Sequence, residues 1–563
     1  MNRRGPATSP SAPALLSAQA REAVVALRDP QLGRLMLTWA AWITVEWAFL
    51  IVVSVLAFDR GGVAAVGLTG AVRVLPAAVL GPLAATVSDR LPRPRVLAAV
   101  HLVWVVIALA TAWLAAVDAS LVAVLLVVGL GSVALAVFKP CVIATIPQLV
   151  RDPSQLIVAN SAYSTVEAAG TVFGPALSGL LLASVSPAAA FVVLAAVLAL
   201  GGLAAIGIRT PFQPSRRSAS STRRVLLEPL RGFQALVAEP GTRAVFALFM
   251  LQSTTRGFLN VFVVVLALSQ FEGGQAQPGS LFAAVGIGGL MGAVVALSGG
   301  AVHRSAVWFA LGITLWGIPV AVIGGWPDPV VAWSALAVLG LGNAVADIYG
   351  ISLLNRLIPD HVAGRAWGAF SSTAAAGVAV GSLGAPLLIA FVGLSWAMGI
   401  IGGLLALSPL LLWRQLGSVA AAAAADPEAV ALLRGVPTFP PMTCIALERL
   451  ARATQELHLL DAEPVVCEDD MGELFYVVVA GQVLVSQAGR ERRRLGPGDS
   501  FGEIALLKSV PRTASVVSVG STRLLSIDGD SFVAAVTGHR VAEQLAQDAA
   551  DDRLRGDRRS SSA

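Results

Sequence analysis

Apolar runs of about 20 residues return repeatedly between residues 35 and 414, and no other feature restricts the fold as much. A helical run of that length spans the ~30 Å hydrocarbon core of a bilayer. The approximate bounds are 35–58, 63–87, 95–117, 120–147, 155–184 and 187–208, then 243–269, 278–301, 305–326, 329–356, 363–392 and 395–414. Twelve such runs, six on either side of a polar stretch at about 209–242, predict an all-α polytopic membrane domain over 21–415. The overall apolarity agrees: 56% of the 563 residues are hydrophobic and only 13% charged. Cys141, Cys444 and Cys467 have no CxxC or metal-ligand spacing, so neither a disulfide framework nor a metal site is expected.

The connections suggest an orientation. Asp89, Arg90, Arg93 and Arg95 lie between the second and third runs, and Arg209, Arg216, Arg217, Arg223, Arg224 and Arg231 between the halves. His303, Arg304, Arg365 and the N-terminal Arg3 and Arg4 fall on the same side, whereas the opposite connections hold little beyond Asp59, Arg60, Asp118, Glu272 and Asp328. Positive connections stay inside, which places both termini in the cytosol and the chain in the inner membrane. Residues 1–20 read as a disordered tail, Gln19–Arg34 as an amphipathic stretch interrupted at Asp29–Pro30, and the first apolar run as a retained span.

The halves echo one another weakly. Gly81, Ala85, Asp89 and Arg90 end the second run as Gly299, His303 and Arg304 end the eighth; Ile146–Pro147 precedes Gly170, Gly174, Pro175 and Gly179 as Ile358–Pro359 precedes Gly377, Gly381, Gly384 and Pro386. With its six-plus-six plan, residues 30–415 resemble the major facilitator superfamily. Asp89, Arg90, Arg93 and Arg95 match the charged positions of that family's inner-loop motif, although Ala85 and Pro92 replace its usual glycines. The row from Gly170 to Pro175 is similar to a motif of the family's proton-coupled exporters, and ordinary helix packing also accounts for it.

Ionisable groups inside the bilayer are costly and raise the question of function. Glu46, Lys139, Arg256 and Asp347 stand on runs 1, 4, 7 and 10, which line the central cavity in the fold that the resemblance implies. They suggest the pairs Glu46–Arg256 and Lys139–Asp347, with Asn343 one turn from Asp347. A carboxylate that changes environment as the cavity switches sides could couple a proton to substrate, while a static strut between halves is the plainer alternative. Arg73 and Glu167 are expected to be structural, and Trp39, Trp42, Trp47 and Phe49 to be interfacial anchors or part of an aromatic cavity wall.

Past Arg414 the apolarity falls. Residues 416–436, with an alanine run and Asp426–Pro427, predict a helical linker. Short β-branched runs punctuated by Gly472, Gly481, Gly489 and Gly498 then predict a small antiparallel jelly roll with flanking helices over 437–550, closed by helices at Ser531–Val536 and Val541–Gln547, with a disordered tail at 551–563. Within it Phe501, Gly502, Glu503, Ile504, Ala505 and, after six intervening residues, Arg512, Thr513 and Ala514 form a pattern with its own chemistry. Gly502 permits close backbone approach, the turn from Glu503 offers unpaired amides, and Arg512 presents a planar fork to two phosphate oxygens. Ionised Glu503 only accepts, which suits a sugar hydroxyl.

That string resembles the phosphate-binding cassette of the cyclic-nucleotide-binding family, and the resemblance extends over about 437–545. It implies cAMP or cGMP as a regulatory ligand, with cAMP slightly favoured on family frequency, and C-terminal helices that cover the base. The chain shows no catalytic constellation and no Walker-type phosphate loop, and His101, His303, His361, His458 and His539 are isolated, so no enzyme activity is expected. Taken together these features predict a secondary transporter of a small molecule, a proton-coupled exporter, regulated by cyclic nucleotide. The expected partners are the lipid bilayer, the nucleotide and a small-molecule substrate, and not nucleic acid. Two alternatives remain open: a nucleotide sensor anchored by a transporter-like domain, and an exporter of the cyclic nucleotide itself.

Overall fold

The computed structural model describes residues 29–88, 91–150, 153–210, 232–298, 305–358, 360–423, 426–436, 439, 444–508 and 510–537. The chain divides into two compact units, 1–420 and 421–563. Asp89 and Arg90 of the inner-loop motif, the 216–231 arginines, His303–Arg304, the proposed helix at Val541–Gln547 and both terminal tails lie outside the described residues.

The first unit is built from long apolar helices: α1 (Pro30–Ser88), α2 (Arg93–Ala116), α3 (Leu121–Leu149), α4 (Pro153–Ser184) and α5 (Pro187–Ile206), then α6 (Pro240–Ser269), α7 (Gln277–Ser298), α8 (Ser305–Gly325), α9 (Pro329–Leu357) and α10 (Asp360–Leu411). Ten of the described helices are long and apolar enough to cross a membrane. Two of them are far longer than one crossing. At 1.5 Å per residue, α1 with 59 residues and α10 with 52 would overrun a bilayer more than twofold, so each must break. The breaks fall at Gly61–Gly62 and Gly393, where Gly62 (φ 61°) and Gly393 (φ 79°) adopt left-handed backbone that other residues rarely take. These are the boundaries expected between runs 1 and 2 and between runs 11 and 12. Asp29 accepts from the amides of Gln31 and Leu32 and so caps the first helix at Pro30, while residues 19–28 of the expected amphipathic stretch lie outside the described residues.

The halves of this unit meet along two seams. At one, α4 lies against α7, and a Cβ added to Gly279 would stand 2.5 Å from the Gly179 amide nitrogen. At the other, Gly67 and Gly70 of α1 lie against Ser382 and Pro386 of α10. Small residues allow this approach. Both seams lie toward the end opposite the arginine-bearing connections, and there Gln275 also donates to Asp59 at 2.8 Å.

In the polar connection α11 (Trp413–Ala423) follows α10. The second unit opens with α12 (Pro427–Gly435), capped by Asp426, which accepts from the Glu428 amide. After α13 (Cys444–Arg452) come β1 (Thr454–Leu459), β2 (Pro464–Val466), β3 (Leu474–Gln487), β4 (Arg490–Leu495) and β5 (Ser500–Phe501), then α14 (Glu503–Lys508), β6 (Ser515–Asp528) and α15 (Gly529–Thr537). The strands form an antiparallel sheet ordered β1-β6-β3-β4, with β2 on β6 and β5 on β3. The short strands expected at 474–479 and 483–485 are one 14-residue strand that bends through Gly481, and β6 likewise runs through Gly520. Phe439, Phe475 and Phe532 pack between the sheet and its helices, with Phe475 and Phe532 stacked at 4.4 Å.

Candidate functional site

In the second unit one cavity of about 420 Å³ is lined by Phe501–Ala505 and Arg512–Ala514, and so by every residue of the expected cassette. Its volume suits a small ligand. Gly502 has φ 97°, and an added Cβ would lie 2.7 Å from Arg512 Nη1, so the position needs a glycine on both counts. Arg512 is buried, donating from Nη1 to Gly502 O at 2.9 Å and from Nη2 to Leu474 O at 2.6 Å. Its backbone is clamped too, since its amide donates to Asp470 O and its carbonyl accepts from the Asp469 amide. The guanidinium lies 6.0 Å from the centre of the Tyr476 ring, which itself stacks on Phe501 at 4.9 Å.

Burial pushes the Arg512 guanidinium below its usual range, while Tyr476 and Glu503 pull it back up. Burial likewise raises the Tyr476 hydroxyl, against Arg512. The result is a fixed cation in a partly dry cavity beside a buried carboxylate, Glu503. An anionic ligand meets that cation with little reorganisation. Val466, Val485, Leu495 and Val516 supply apolar walls, and Gln487, Arg492 and Arg493 complete the lining. Those last three were missed in the sequence. The unbroken polar run at 490–494 hides the two arginines in the sequence, since it does not show which of its side chains face the cavity.

In the first unit the intramembrane charges form a second constellation. Arg73 Nη2 donates to Glu46 O at 3.1 Å and stands 3.8 Å from its carboxylate, and Lys139 pairs with Glu167. The expected pairs Glu46–Arg256 and Lys139–Asp347 are therefore replaced by pairs made within the first half. Arg73 and Glu167, expected to be structural, are the partners, each lying on the span that follows its partner's: Arg73 beyond the break in α1, and Glu167 on α4 after Lys139 on α3. In the second half Asn343 is the hub. Its Oδ1 accepts from Arg256 Nη2 at 2.7 Å, Trp316 Nε1 at 2.9 Å and Gln252 Nε2 at 3.2 Å, while its Nδ2 donates to Asp347 Oδ2 at 3.0 Å. Three donors meeting one atom fix the amide's orientation, since the flipped amide would set donor against donor. Gln252 and Trp316 were not singled out in the sequence, although Gln252 lies one turn before Arg256 on the same helix. Lys139 and Glu167 of the first half thus lie near enough to Asp347 of the second for charge to act between them. Of the two motif arginines among the described residues, Arg93 and Arg95, Arg93 donates to Ala144 O and ties the start of α2 to α3.

Known proteins bear on both units. A family model for the Major Facilitator Superfamily matches residues 35–381, and one for the cyclic nucleotide-binding domain matches residues 456–539. The cAMP-dependent protein kinase regulatory subunit of Dictyostelium discoideum is 34% identical over 113 residues, which are 19% of this chain and 33% of that protein. The subunit of the same name from Yarrowia lipolytica is 34% identical over 87 residues, 16% of this chain and 23% of that protein. The chain thus spans a third or less of these curated relatives. The crystal structure of a mutant of the nucleoside transporter NupG matches 68% of this chain and 99% of its own, at TM-score 0.58 and 16% identity, a likeness of fold. The chain belongs to the major facilitator superfamily and carries a cyclic-nucleotide-binding domain after its membrane helices.

Proposed function

We propose that this chain is a proton-coupled exporter of a small molecule, embedded in the inner membrane with its nucleotide-binding unit in the cytosol, and that cyclic nucleotide bound at Arg512 sets its transport rate. One observation carries the regulatory part: the cassette's arginine, glycine and glutamate line one cavity in a chain whose other unit is a transporter fold. The relatives' names support cAMP as a ligand of that site. The arginines of the connections support the orientation.

The charge network supports coupling. Six ionisable groups, three acidic (Glu46, Glu167, Asp347) and three basic (Arg73, Lys139, Arg256), balance one another, and those of the two halves are within electrostatic reach. A rocking motion of the halves changes the partners of each carboxylate, and a carboxylate that changes partners changes its proton affinity. With the seams closed at one end, the substrate path opens toward the arginine-bearing end. Nucleotide acts on this cycle only if it binds the domain differently in two transporter states.

Everted vesicles that hold the chain and an imposed proton gradient test the coupling. Adding a transported compound from a panel of amphipathic dyes such as ethidium discharges the gradient, read by acridine-orange fluorescence. Glu46→Gln and Asp347→Asn abolish that discharge on this account. Full discharge in both variants refutes it.

A further inference from the structure

Besides Arg512, the cavity wall carries a second set of donors, on β3 and β4. β3 and β4 pair in register as Val483 with Leu495 and Val485 with Arg493, and then the register shifts, so that Ser486 faces Glu491. Arg492 is the extra residue of that bulge, and a bulge of this kind re-aims side chains next to a site. Leu495 and Val483 point into the core. Alternation puts Arg493, two residues before Leu495, on the same face over Val485. Arg492, Arg493 and Gln487 accordingly line the cavity that also holds Arg512.

These three side chains differ in what they can read. Arg492 has a partner within the protein. Gln487 carries a donor and an acceptor on a rotatable amide, so it suits either purine. Arg493 is exposed and is involved in no hydrogen bond or ion pair among the described residues. Its guanidinium has five donors and no acceptor. Guanine offers two acceptors, O6 and N7, on one edge, and this pair matches the arginine fork; adenine offers N7 beside an amino group that is itself a donor.

We infer that Arg493 reads the purine of the bound cyclic nucleotide and that the pocket holds cGMP more tightly than cAMP. The inference rests on the reading of this cavity as a cyclic-nucleotide site and reverses the order of ligands taken from family frequency. The phosphate contact at Arg512 is common to both nucleotides, so the difference lies wholly at the base. A bidentate arginine–guanine contact discriminates by roughly tenfold or more.

The test is a titration of the full-length protein in detergent with cGMP, cAMP and cyclic inosine monophosphate, which keeps O6 and N7 and lacks the guanine amino group. The wild type should bind cGMP and the inosine nucleotide alike, both about tenfold or more tighter than cAMP. Arg493→Ala should weaken the first two to near the level of cAMP, and Arg493→Lys, which keeps the charge and loses the fork, should do the same. Arg493 is exposed, and the fold does not depend on it. Binding of cAMP as tight as cGMP overturns the inference and leaves the nucleotide site standing. So does an inosine nucleotide that behaves like cAMP, or an Arg493→Ala variant that weakens all three ligands equally. No binding of any of the three overturns the nucleotide site itself, and the inference with it.

Discussion

The nucleotide cavity and the intramembrane network solve the same problem, holding charged side chains in a fixed place, in opposite ways. In the cavity one cation is held by backbone: two carbonyls take the Arg512 guanidinium, two more backbone hydrogen bonds clamp its main chain, and the space for it comes from missing Cβ atoms at Gly502 and Gly472. In the membrane the partners are side chains from different helices, and Asn343 gathers donors from α6 and α8 while lying on α9. The first arrangement is local and rigid, and the second is spread over the bundle and can be rearranged. A binding site is well served by rigidity. A transport cycle needs partners that can be exchanged.

If the contrast is right, single changes have different reach in the two regions. The largest effect belongs to Arg512→Ala. Removing one partner of a buried charge-assisted contact costs about 2–5 kcal/mol, so cyclic-nucleotide affinity should fall roughly 30-fold or more by calorimetry, while the membrane unit keeps its thermal transition. Retained affinity would break the claim that this cation is the anchor. Gly502→Ala comes next. It strains the backbone at φ 97° and crowds Arg512, with about 1–3 kcal/mol at stake, and nucleotide affinity should drop about tenfold. Asn343→Leu strands the donors of Arg256, Gln252 and Trp316, which costs about 1–3 kcal/mol. The melting temperature of the membrane unit should fall by a few degrees with nucleotide affinity unchanged.

The smallest effect is one of pH. Asp528 accepts from the Ser531 amide at 2.8 Å at the start of α15, and this contact holds its carboxyl below the usual range. A depressed folded value contributes stability that is present above the ordinary aspartate range, about pH 4, and is lost as pH falls through the folded value. Hydrogen exchange over 529–537 should therefore speed up modestly below about pH 4, and Asp528→Asn should remove that dependence. An unchanged pH profile in the variant would place the effect elsewhere.

The two regions also differ in how far they could be read from sequence. The cassette is contiguous, so its residues, which line one cavity, lie within 14 positions, and each has a chemical reason to be there. The apolar runs were legible for a similar reason, because the thickness of the bilayer sets helix length whatever the neighbours do. The ion pairs were not. Glu46 with Arg73 and Lys139 with Glu167 depend on how helices rotate against one another, and hydropathy carries no information on rotation. Arg493 lies between these cases. Its alternation with Leu495 is visible in sequence, but the bulge that leaves Arg492 beside it appears only in the register of β3 and β4. The length of β3 was missed because Gly481 resembles a turn and acts here as a bend within one strand.

The central claim is that nucleotide at Arg512 reaches the transport cycle. Hydrogen–deuterium exchange of the full-length protein in lipid nanodiscs, with and without saturating cGMP, tests it without knowledge of the substrate. The segments to watch are 171–179 and 276–286, which form the α4–α7 seam. The account predicts that cGMP changes exchange there in the wild type and leaves it unchanged in Arg512→Ala. Identical exchange in the wild type with and without the nucleotide, when the same sample shows it bound, would contradict the account.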